Sequence, residues 1–103
     1  MEFMVTYAVH SDKRHEVLRA FARMTEADDQ GDRGGVALIG RWHDVGGGCG
    51  VAICESSNLG AVNLWALNWN NALDLEIVPV LDDDEAKAVA KKKFGLYRMQ
   101  PAA

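Results

Sequence analysis

Arg41-Trp42-His43 sets a permanent cation and a titratable imidazole two residues apart. In an extended strand side chains repeat every second residue, so Arg41 and His43 share one face. If Gly46-Gly47 form the tip of a hairpin, Arg41 faces Ala52 and His43 faces Gly50, and these small neighbours leave room above the pair. A cation and an imidazole beside open space suit anion binding or proton transfer. The alternative is that both sit solvated or hydrogen-bonded at a hairpin end, with no ligand. Trp65 and Trp69 lie four residues apart, on one helical stripe that serves either as core or as the wall for a flat ring. Tyr7, at an inward strand position, would add a hydroxyl there. His43 and Arg41 are therefore the catalytic candidates, and Tyr7, Trp65 and Trp69 the ligand-binding ones.

Other chemistries find less support. His10, His15 and His43 fall on separate elements, and His15-Glu16 is not followed by the second histidine of a zinc-protease helix, so no metal is expected. No cofactor is expected either. The cluster Gly46-Gly47-Gly48-Cys49-Gly50 runs into a strand rather than a helix and lacks the Gly-Lys-Ser/Thr ending of a phosphate loop. There is no GxSxG nucleophile elbow. Of the two cysteines, Cys54 lies in the apolar run Val51-Ala52-Ile53-Cys54 and reads as core, while Cys49 sits beside glycines at a turn and reads as more accessible. Neither has the spacing of a disulfide framework or a metal site.

The frame holding these residues is modest. The 103 residues, 49% hydrophobic and 25% charged, are those of one globular domain with a real core. We take 1–103 as that single domain, with a core over about 2–93 and a C-terminal extension at 94–103. The net charge of −4 divides evenly between the two halves, so no basic half exists to follow a phosphate backbone, and nucleic acid is an unexpected partner. No apolar run is long enough to cross a bilayer, and Met1-Glu2-Phe3-Met4-Val5-Thr6 lacks a basic n-region. A cytoplasmic, soluble protein without membrane partners is the expectation.

Hydrophobic period assigns the elements. Phe3, Val5, Tyr7 and Val9 alternate in a first strand. Ser11 or Asp12 is expected to cap a helix with Val17, Leu18, Phe21 and Met24 inward. The stretch from Glu26 to Gly35, rich in aspartate and glycine, reads as a polar loop. Val36 to His43 and Gly50 to Glu55 form a hairpin around Asp44 to Gly48, with Trp42 on the same parity as Leu38, Val51 and Ile53. Ser56 or Ser57 opens a second helix with Val62, Trp65, Ala66, Trp69 and Leu73 on its inner stripe, ending near Asn68, Asn70 and Asn71. Leu75 to Leu81 is a fourth strand, placed at a sheet edge by Pro79. Asp82 to Glu85 starts a last helix and Lys91 to Lys93 ends it before Gly95, the charge order a helix dipole favours.

The order β-α-β-β-α-β with an added C-terminal helix is that of an α+β ferredoxin-like fold. Both crossing helices then cover one face of the sheet. The other face should alternate with polar residues if it met water. Val36 to Ile39, Val51 to Cys54 and Ile77 to Leu81 are instead apolar on both parities, and the last helix is too short to cover four strands. A second copy of the same face supplies the missing layer, so a homodimer is expected, its sheets packed face to face. Tyr97, Arg98 and Met99 in the tail would reach the partner subunit.

Phe3-Met4-Val5-Thr6-Tyr7, Leu38-Ile39-Gly40-Arg41-Trp42-His43, the Gly46-Gly47-Gly48 turn, Trp65-Ala66-Leu67 and Pro79-Val80-Leu81-Asp82-Asp83 resemble a small bacterial family. It is an uncharacterised domain-of-unknown-function family of the dimeric α/β-barrel superfamily, and the resemblance covers about residues 2–90. It implies the ferredoxin-like fold and the dimer, and transfers no catalytic residue. The wider superfamily includes cofactor-free quinol-type monooxygenases, lactone isomerases, haem-binding members and stress-responsive barrels, which hold ligands between the sheet and its own helices. Two functions follow as expectations. One is binding or transformation of a small organic molecule between sheet and helices, without a tightly bound cofactor. The other is a non-catalytic accessory or stress-related homodimer with a filled core.

Overall fold

The chain runs through β1 (Glu2–Val9), α1 (Arg14–Arg23), α2 (Glu26–Arg33), β2 (Ala37–Asp44), β3 (Cys49–Glu55), α3 (Leu59–Leu67), β4 (Leu73–Val80) and α4 (Asp83–Phe94) in a computed structural model that describes residues 1–95. The tail residues Tyr97, Arg98 and Met99, and with them the expected contact to a partner, lie outside the described residues. The strands form one antiparallel sheet in the order β2-β3-β1-β4. This is an α+β arrangement of the ferredoxin-like kind, with Pro79 on the edge strand β4 as its missing N–H requires.

Period-two patterning decides which side of the sheet is filled. Phe3 sits opposite Cys54, and Val5 lies between Ala52 and Ile77. Phe3, Val5, Ala52 and Cys54, with Val36, and Val62 and Trp65 of α3, make the buried core, and the partly buried Ile77 packs against it. Cys54 is fully buried and burial pushes its thiol up, so it is an inert core residue. Tyr7 continues the same face toward the hairpin end, between Gly50 and Leu75.

The structure corrects the reading of the sequence at several points. The polar loop expected over Glu26 to Gly35 is the helix α2. Thr25 accepts from the Asp28 N–H, and the Asp28 carboxylate accepts from the Thr25 N–H. That reciprocal capping box starts a helix that the aspartates by themselves would disfavour. α1 begins at Arg14 after Lys13, with no side-chain cap from Ser11 or Asp12. α3 is capped by Asn58, whose side chain accepts from Gly60, rather than by Ser56 or Ser57. It ends at Leu67, so Trp69 stands in the turn beyond it and Leu73 opens β4.

A bulge alters one parity. The β2–β3 register shifts between Leu38 and Gly40, so Leu38 faces Cys54 and packs on the core instead of sharing a side with Trp42. Beyond the bulge, Arg41 faces Ala52 and His43 faces Gly50, as the hairpin reading expects. Trp42 turns outward opposite Val51, and its ring lies over Gly40, where a Cβ would collide with it.

Candidate functional site

β1, β2 and β3 set Tyr7, Arg41 and His43 on the inner face of the sheet, at its hairpin end. Here the layer above the sheet thins out. α1 places Val17, Leu18, Phe21 and Met24 over this end, yet none of its residues is buried. The side chains read as a core stripe therefore roof a space. The result is a cavity of about 480 Å³ between sheet and helices. Its walls are mostly apolar, with Val5, Leu75, Trp65 and Trp69 on the sheet and α3 sides.

All five residues singled out in the sequence line this one cavity: Tyr7, Arg41, His43, Trp65 and Trp69. The Tyr7 Oη lies 2.6 Å from the His43 Nδ1. Gly50, opposite both across the ladders, permits this contact, since a Cβ there would run into the Tyr7 ring. Burial, reinforced by the Arg41 charge and opposed by Asp29, holds the His43 imidazole below its ordinary value. Burial, with the nearby Cys49 and Asp44, pushes the Tyr7 hydroxyl up against the opposing pull of Arg41. Both rings are thus neutral near pH 7, and they share a proton arrangement with two forms. In one, Tyr7 O–H donates to Nδ1 and Nε2 carries the proton. In the other, Nδ1–H donates to the Tyr7 oxygen, leaving Nε2 as an acceptor and the Tyr7 O–H free to donate. Passing between them moves a proton, which is what a general acid–base site needs.

Arg41 is not a free anion clamp. Its two terminal nitrogens donate to the two Asp29 oxygens at 3.0 and 3.1 Å, a bidentate fork. Arg33 donates to Asp29 as well, from one turn along α2. Burial would raise the Asp29 carboxyl, but the Arg41 hydrogen bonds and the charges of Arg41 and Arg33 hold it below its ordinary value. Phe21 leans over the assembly, its ring 4.9 Å from that of His43 and 5.2 Å from the Arg41 guanidinium carbon.

A second aspartate organises the opposite wall. The Asp32 Oδ2 accepts from the Trp69 indole N–H at 2.7 Å and the Trp65 indole N–H at 3.1 Å, while Asn68 donates to its Oδ1 at 3.0 Å. One carboxylate thereby fixes both indoles, although Trp69 lies outside the helix. Asp29 and Asp32 were absent from the candidates read in the sequence because their segment reads as a loop. The signal was present: Thr25-x-x-Asp28 is a capping pattern, and Asp29, Asp32 and Arg33 follow at helical spacing.

Arg14 and His15 stand at the cavity rim on the first turn of α1. Cys49 lies outside the cavity walls, with its thiol toward Asp44. Among the described residues, the acidic, cysteine and histidine side chains close enough together to hold a metal are Glu2, Asp82 and Glu85, which are not part of this cavity.

The profile of a family described as a domain of unknown function (DUF3303) matches residues 1–94 of the chain. No curated protein matches it.

Proposed function

For a chain that belongs to the family DUF3303, we infer that the sheet–helix cavity binds a small organic molecule and exchanges a proton with it at the His43–Tyr7 pair. The observation that carries this reading is the 2.6 Å pair at the edge of an apolar cavity of about 480 Å³, a volume within the range of ordinary small-molecule sites. The wall chemistry favours a flat, largely apolar ring bearing an ionisable hydroxyl. Trp65 and Trp69 face the ring, and the hydroxyl meets His43. Arg41, already paired with Asp29, acts through its field by keeping the imidazole neutral, ready to accept a proton. No tightly bound cofactor enters this scheme. A filled-core accessory protein would need the roof of α1 to close on the sheet, and the open cavity opposes that.

The same reading places the protein in the dimeric α/β-barrel superfamily, as a cytoplasmic homodimer joined through the outer sheet face. In support, Trp42 is 62% exposed and Ile39 57% exposed there, on a face that no element among the described residues covers. Large apolar groups displayed together on a sheet are the usual mark of an interface.

The test is fluorescence titration in a Trp42→Phe background, so that only the cavity tryptophans report. Saturable quenching by 1-naphthol or 2-naphthol at micromolar concentration is the expected result. His43→Ala should abolish it while leaving the melting temperature nearly unchanged. Absence of quenching across such ring compounds would overturn the reading, and equal loss of binding and stability would make His43 structural.

A further inference from the structure

Among the described residues, α4 is a finished helix without a partner in its own chain. Asp82 and Glu85 close a capping box at its start, and Gly95, at φ +69°, terminates it. Yet every residue from 81 to 95 is exposed. A helix of 12 residues is marginal in water unless something packs on it. Ala86, Val89, Ala90 and Phe94 follow the i, i+3, i+4, i+8 pattern of a face made to be covered. Val89 is 58% exposed and Phe94 69%.

We propose that this face is covered by α4 of a second copy of the chain, laid antiparallel. Charge selects both the occupant and the direction. Asp82 to Glu85 occupy one end of the helix and Lys91 to Lys93 the other, and no lysine of α4 forms an ion pair among the described residues. The acidic end is crowded further by Glu2, whose carboxylate comes within 4.8 Å of those of Asp82 and Glu85. Like charges so close repel one another, and a cation brought among them is stabilised.

A two-fold axis beside Ala88 meets this need at both ends together. Residues equidistant from 88 then stand at the same level, and those on the Ala86, Val89, Ala90 and Phe94 side of the helix meet: Asp83 comes beside the partner's Lys93 at each end, while Asp84, Glu85, Lys91 and Lys92 point away from the seam and add only their longer-range field. The same register sets Ala86 beside the partner's Ala90, where small side chains allow close approach of the helices. A parallel copy would instead stack acid on acid and base on base. The arrangement is isologous and closes at two chains. It is continuous with the bare outer face, since α4 leaves the sheet directly from the edge strand β4 through the exposed Leu81. It does not depend on what the cavity binds.

Disulfide cross-linking reads the orientation. In a Cys49→Ser background, chains carrying Ala86→Cys and chains carrying Ala90→Cys are oxidised alone and as a mixture. Antiparallel pairing makes the 86–90 cross-link of the mixture the dominant product, whereas preference for 86–86 and 90–90 links, or no link at all, overturns the proposal. Sedimentation equilibrium of the full chain supplies the second measurement. Val89→Asp should weaken self-association about tenfold or more, as for a residue central to an interface, with helix content unchanged by circular dichroism. The triple variant Lys91→Glu, Lys92→Glu, Lys93→Glu should do the same. Wild-type association in all these variants would overturn the α4 pairing, whatever becomes of the sheet-face dimer or the cavity ligand.

Discussion

Near neutral pH neither ring of the Tyr7–His43 pair is charged. Burial comes first in keeping the imidazole neutral, and the Arg41 cation adds to it. Arg41→Met should therefore move the His43 titration midpoint upward, measured from the imidazole carbon-bound protons by NMR. An unmoved midpoint would show that the Arg41 charge does not reach the ring. The sign for stability follows from linkage. Folding disfavours proton binding at His43, so its contribution is complete above the unfolded value of about 6.5 and is lost as pH falls below that toward the folded value. Asp29 also loses its contribution on the acid side, but lower, as pH falls from its unfolded value through its depressed folded one. Urea melts at stepped pH should show wild type losing stability below about pH 6.5, with that particular loss absent in His43→Ala.

At the scale of elements, α2 decides how well the site is made. One short helix delivers Asp29 to the arginines and Asp32 to both indoles. Its start rests on Thr25, so Thr25→Ala should cost about 1 kcal/mol of stability, the ordinary loss for a removed cap. Chemical denaturation would measure that cost. Because α2 anchors Asp32, the same variant should also red-shift tryptophan emission in the Trp42→Phe background as Trp65 and Trp69 loosen. α1 is the opposite kind of element. It spans the cavity with no buried residue, so little holds it down. Its amides should exchange with deuterium faster than those of α3, and should slow when a ring compound fills the space beneath. Exchange in α1 as slow as in α3, without ligand, would mean the roof is fixed and the cavity closed to entry.

The whole molecule has two sides of different character. The inner side of the sheet is part core and part cavity. The outer side shows Trp42, Ile39 and Val78 to solvent, the last 41% exposed. If that side is an interface, a charge at its centre should dissociate it. Trp42→Asp is expected to give a monomer by sedimentation at micromolar concentration, with the fold intact because Trp42 takes no part in the buried core. A dimer that survives this substitution would move the interface elsewhere, and a wild-type monomer would remove it. No helix among the described residues is long and apolar enough to cross a membrane.

In β1 and at the hairpin end of β2 strand parity was legible in the residues: Phe3, Val5 and Tyr7 alternate, and Arg41 and His43 repeat at a spacing of two, so their shared face and their partners Ala52 and Gly50 follow from the geometry of a hairpin. The start and end of α4 were legible for the same reason, because caps and dipole charges are local. What the sequence could not determine was how these local pieces meet. The bulge at Ile39 turned Leu38 inward, although a strict period of two places it with Trp42. The capping box at Thr25 turned an aspartate-rich segment into a helix, and only its docking showed that Asp29 neutralises Arg41 while Asp32 clamps Trp65 and Trp69. Most of all, whether Val17, Leu18, Phe21 and Met24 fill a core or roof a cavity depends on the distance between α1 and the sheet. Hydrophobic period fixes which way a side chain points, whereas an empty volume arises from how far apart two packed layers stand, and that is set by the tertiary structure alone.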